Sequence, residues 1–266
     1  ALDGEDGRDG LSRATAFRTI QRGVDALSAG DTLLVGPGEY TETVSRAGLG
    51  APDRETVIRA EIPGTVVLRG DVPAAGFEPL PGQPFVHALA VERPVQAVLE
   101  VDTPRVLARV PAPGELPFRA GASHQDPETG RLLLTTSDLQ PPQQHVLALA
   151  VLPAHGLFLA APERVIVEGL VARGFHSTAR GPHFPGSQKT WGILLAEPRQ
   201  CIIRDCTAFL NGAGIGIHLR GDARGNRIER SQAWYNVGGG IIILGADGDE
   251  IRDCRAWRNG YIGIGF

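Results

Sequence analysis

Three carboxylates recur at intervals of 25 residues, Glu197, Asp222 and Asp247, each just after a short apolar run such as Gly-Ile-Leu-Leu or Gly-Ile-His-Leu. Carboxylates in pairs are the working groups of glycoside hydrolysis, one protonating the leaving oxygen and the other attacking or activating water. His218 and Arg220 stand just before Asp222. Alternation with inward Ile217 and Leu219 turns His218 outward, which makes it a candidate substrate contact. The plainer reading is also open, because Asp after a strand is a common turn residue. Asp247 also breaks strict register, standing closer to Ile251 than Asp222 does to Ile228.

A second group lies in HSTARGPHFPGSQKT and the residue after it: His176, Arg180, His183, Lys189 (the one lysine) and Trp191. Long loops on rigid scaffolds collect binding residues, so His176, His183, Lys189 and Trp191 are candidates for a sugar subsite, with an ordinary solvated loop as the alternative. His176 and His183 lack the spacing and the third ligand of a zinc site. The opening DGEDGRDG brings Asp3, Asp6 and Asp9 together; it reads as a Ca²⁺ loop or as flexible Asp-Gly turns. No cofactor is otherwise expected, and no phosphate loop, Ser-His-Asp set or CxxC pair is visible.

The elements that must position these groups follow from an internal repeat. CIIRDCTAFLNGAGIGIHLRGD (201–222), NRIERSQAWYNVGGGIIILGAD (226–247) and EIRDCRAWRNGYIGIGF (250–266) align with steps of 25 and 23 residues. Ile203, Ile228 and Ile251 share a column, as do Cys206, Ser231 and Cys254; Ala208, Ala233 and Ala256; Phe209, Trp234 and Trp257; and Asn211, Asn236 and Asn259. A fainter copy, VIVEGLVARGF (165–175), adds Val167, Leu170 and Ala172. Period-two alternation with Gly and Asn at the turns excludes helical repeats, and no leucine-rich frame is present. Each repeat is therefore one coil of a parallel β-helix, with coils about 4.8 Å apart.

In that fold the Ile and Ala columns point inward and the asparagines form amide ladders at a turn. The aromatic column faces out, either as a stacked ladder or as a sugar platform. Cys206 and Cys254, two coils apart, are too distant for a disulfide and behave as buried apolar groups.

Residues 12–31 carry a helical stripe, Phe17, Ile20, Val24 and Leu27, closed by Gly30-Asp31; such a helix covers the first open coil. From residue 72 to 152 prolines break the rhythm and no repeat is visible. The expected organisation is a cap helix and first coil in 1–71, an inserted small β subdomain in 72–152, and coils in 153–266, the last one open.

Composition narrows the class. The 266 residues include 35 Gly and 20 Pro, which excludes a helical bundle. A hydrophobic fraction of 42% excludes disorder, and a net charge of −4 gives no case for nucleic acid or an anionic membrane. No apolar run is long enough to span a bilayer. The start at Ala1, with no Met anywhere, is what a removed secretory signal or a cleaved tag leaves.

DGLSRATAFRTIQRGVDALSAGDTLLVGPGEYTETV resembles the opening of bacterial right-handed parallel β-helix proteins of the pectate-lyase-like superfamily. LEVDTPRVLARVP and DPETGRLLLTTSD resemble the β-sandwich insert of β-helix glycoside hydrolases of the β-xylosidase and fucosidase type. The resemblance implies an all-β, right-handed parallel β-helix, a carbohydrate partner, and a secreted or periplasmic location. Three functions stay open. A hydrolase would use Asp222 with Glu197 or Asp247, spaced by one coil rise as in retaining enzymes. A polysaccharide lyase would use a base such as His218, Arg220 or Lys189. A non-catalytic module would bind glycan or associate through its open C-terminal coil.

Overall fold

The computed structural model describes residues 1–178, 190–218, 224–244 and 248–266, with His218 described as backbone alone. The repeat columns become three six-stranded parallel sheets. Sheet I takes Thr32–Val35, Thr56–Ala60, Val165–Glu168, Ile202–Arg204, Arg227–Glu229 and Glu250–Arg252. Sheet II takes Gly38–Tyr40, Val66–Arg69, Leu170–Arg173, Thr207–Phe209, Gln232–Trp234 and Arg255–Trp257. Sheet III takes Val44–Ala47, Leu157–Ala160, Trp191–Ala196, Ala213–His218, Ile241–Leu244 and Ile264–Gly265. The chain passes from I to II to III and moves down one strand per turn, which is a parallel β-helix.

Register follows the repeat. Val167, Ile203, Ile228 and Ile251 are successive partners in sheet I; Ala172, Ala208, Ala233 and Ala256 are successive partners in sheet II. Together with Leu157, Ile193, Ile215 and Ile241 of sheet III, the members of these columns before the last coil fill one continuous core, and Ile251 packs against its end. Alanine is required in sheet II because the coil is narrow there. A Cβ on Gly214 would lie 3.0 Å from the Ala233 methyl and 2.3 Å from the Gly240 carbonyl oxygen.

The asparagine ladder forms at the corner from II to III. Asn211 Oδ1 accepts the Phe175 N–H (3.1 Å) and Nδ2 donates to Ala172 O (3.0 Å). Asn236 and Asn259 repeat the arrangement one and two coils on. The preceding residues Leu210, Tyr235 and Arg258 all turn the corner at φ near 50°, a left-handed conformation that side chains adopt only when surroundings hold them there. A second ladder, at the corner from III to I, was not evident from the sequence: Asn226 Oδ1 accepts the Cys201 N–H, and Asp249 accepts the N–H of Asn226. Cys206 and Cys201 are buried free thiols, pushed up to about 12 and about 11 by desolvation; Cys254, in the last coil, is half-buried.

The helical stripe is realised in shorter form. The α-helix spans Ile20–Ala26, because Thr19 caps it by accepting the Arg22 N–H, and Phe17 lies before it. Ile20, Val24 and Leu27 are buried against the first coil. Residues 32–69 supply five strands, more than the single coil expected ahead of the interruption.

Between Arg69 and Leu157 the chain leaves the helix and builds two antiparallel layers. One joins Asp71–Ala74, Leu147–Ala150, Ala97–Glu100 and Arg105–Val106. The other joins Glu78–Pro79, His87–Ala90, Arg131–Thr135, Ala122–Gln125 and Ala108–Arg109, this last strand pairing in parallel. Leu99 and Ala148 of the first layer pack on Leu210, with Phe209 and Tyr235 alongside, so the layer leans on the corner from sheet II to sheet III. At its root Asp71, fully buried, accepts from Arg69 (3.0 Å) and Arg173 (3.4 Å).

Candidate functional site

The outer face of sheet III is unusually apolar for a surface. Phe158, Leu194, Gly216 and Ile242 are partners in one outward column. The Trp191 indole fills the gap left by Gly216, where a Cβ would come within 2.5 Å of the ring. Trp191, Leu194, Ala213 and Ile242 form a buried cluster with Phe158, Leu244 and Ile262 around it. Trp191 is 9% exposed, so its ring is floor rather than an open platform.

Two corners border this face. On the II-to-III side, the 72–152 layers and the 176–190 segment leave from successive coils. His176 is fully buried with Nε2 on Leu210 O (2.8 Å), and Thr190 donates its hydroxyl to Phe175 O (3.0 Å). Thr178 N–H donates to Gln96 of the inserted layers (3.0 Å). These contacts hold the described residues at both ends of that segment; His183, Lys189 and Arg180 lie outside the described residues.

His155 is the group that sequence reasoning missed, since nothing in its local pattern marks it. Its ring stacks on Phe158 (centroids 5.1 Å apart), and Nδ1 accepts the Trp191 N–H (3.0 Å). Burial lowers its pKa to about 4. The imidazole is therefore neutral near pH 7, and with Nδ1 accepting, its proton sits on Nε2. The sign of the linkage is fixed. The folded pKa lies below the ordinary value of 6.5, so this contribution to stability is complete above that value and is lost as pH falls towards 4. Urea midpoints of the wild type should fall between pH 6.5 and 5 more steeply than those of His155→Gln, whose amide can still accept the Trp191 N–H.

On the III-to-I side stands Glu197, exposed and at φ 55°, directly after Ala196, the last paired residue of its strand. Asp222, Asp247 and Arg220 lie outside the described residues. The register explains what their 25-residue interval measures. Sheet I keeps that interval for one step, Ile202 pairing with Arg227, and shortens it at the next, Arg227 pairing with Glu250. Sheet III does not, because Ala196 pairs with His218 and His218 with Leu244. Asp222 and Asp247 thus follow further from their strands in the sequence than Glu197 does. The backbone of His218 ends its sheet III strand beside Ala196.

The aromatic column is a stacked ladder. Phe209 and Trp234 centroids are 5.0 Å apart at 8°, and Trp234 and Trp257 are 4.8 Å apart at 14°. The rings spend their faces on each other. At the N-terminus, Asp6 accepts the N–H groups of Arg18 and Thr19, and Asp9 accepts that of Leu11. Among the described residues no group of three His, Cys, Asp or Glu side chains could hold a metal ion, and no helix is long and apolar enough to cross a membrane.

Sequence comparison finds no matching family and no matching curated protein. Comparison of the fold finds likenesses among solved structures. A glycoside hydrolase superposes with TM-score 0.69 at 12% identity, over 97% of this chain and 72% of that one. XylC in complex with xylose superposes with TM-score 0.63 at 12% identity, over 99% of this chain; the chain spans 60% of the length of XylC. Pectate lyase Pel9A gives TM-score 0.45 at 12% identity, over 97% of this chain and 52% of that one. The first two likenesses extend across nearly the whole chain, the inserted layers included, and are likenesses of fold.

Proposed function

We propose that the chain is carbohydrate-active, a glycoside hydrolase whose oligo- or polysaccharide substrate lies across the outer face of sheet III. The observation that carries the reading is the apolar outer face of sheet III with polar groups at its borders. Glu197 stands at the III-to-I corner, directly after the last paired residue of its strand. His155, Phe158 and Trp191 stand at the II-to-III side. The shared architecture with a glycoside hydrolase and with XylC, which holds xylose, supports it.

In this reading one carboxyl protonates the glycosidic oxygen while a second attacks the anomeric carbon or activates water. Asp222 with Glu197 or Asp247 supplies the pair. The His155 Nε2–H donates to a sugar hydroxyl, and the apolar floor takes the C–H face of the ring. His218, Arg220, His183 and Lys189 supply further substrate contacts. A polymeric glycan is met outside the cytoplasm, so the reading carries a secreted or periplasmic location with it.

Incubation with xylo-oligosaccharides and with oligogalacturonides tests it. New reducing ends should appear without near-ultraviolet absorbance, and Asp222→Asn together with one of Glu197→Gln and Asp247→Asn should each lower turnover roughly 10²–10⁴-fold while leaving the melting temperature unchanged. Unsaturated uronate products would make the protein a lyase. Glycan binding with no turnover would make it a non-catalytic module.

A further inference from the structure

We draw no further inference here: the strongest candidate, the exposed rings of Phe85 and Phe118 beside the apolar cluster of Val86 and Leu116 on the second inserted layer, carries none, because nothing in the structure shows what covers them.

Discussion

Replacing Asp71 with alanine should lower the stability of the chain by about 3–5 kcal/mol, the cost of removing one partner from a buried ion cluster. Asp71 is fully buried and is shared by two guanidinium groups, Arg69 at 3.0 Å and Arg173 at 3.4 Å. Arg69 and Arg173 are register partners in adjacent strands of sheet II. Without the carboxylate, two positive charges face each other, and only Glu39 remains to meet Arg69. Asp71 also opens the first strand of the inserted layers, pairing with Ala150, so the damage should be felt at their root. Urea unfolding measures the loss, and limited proteolysis should cut the 72–152 region of the variant well before the coils. Asp71→Asn keeps the shape and loses the charge, so it should fall between the variant and the wild type. An unfolding midpoint for Asp71→Ala equal to that of the wild type would show that the cluster adds nothing.

Asn211→Ala should cost roughly 2–6 kcal/mol, because it strands two buried main-chain groups at about 1–3 kcal/mol each. Those groups are the Phe175 N–H and the Ala172 carbonyl, which Asn211 serves with its two side-chain ends. No water can reach them, since Asn211 and both partners are fully buried. Asn211→Asp separates shape from hydrogen-bond polarity. Its second oxygen would face Ala172 O and Asn236 Oδ1, where the wild type presents Nδ2. A carboxyl in that position is held neutral, with its pKa raised by burial. The destabilisation of Asn211→Asp should therefore grow as pH rises through the carboxylate range, while that of Asn211→Ala stays level. Thermal melts at several pH values distinguish the two.

The two sites differ in how visible they were. Asn211, Asn236 and Asn259 recur in step with inward Ala and Ile, and each coil repeats the same local problem, an unserved corner amide, with the same solution. A ladder of this kind is written into any one repeat, so sequence periodicity alone gives the fold, the inward columns, the aromatic stack and the asparagine ladder. The buried thiol of Cys206 follows from the same register, whereas Cys254, in the last coil, is only half-buried. Asp71 has no such signature. It lies in a stretch without repeats, and its partners Arg69 and Arg173 come together only when coils separated by the whole inserted subdomain are stacked.

The same division runs through the candidate site. Sequence order alone brought Glu197, Asp222 and Asp247 forward, through their equal spacing. The tertiary structure decided what that interval meant. Turns from sheet III to sheet I differ in length from coil to coil, so residues equally spaced in sequence start from different points along the sheet III edge. Trp191 and His176 were visible as residue types suited to sugar binding, but their burial depends on Gly216 and Leu210, residues of the next coil. His155 was invisible until Phe158 and the Trp191 N–H closed on it, since a shifted imidazole is made by burial and not by local sequence. Periodicity determines the scaffold because stacked coils repeat their contacts; the chemistry of its face is decided by contacts made once.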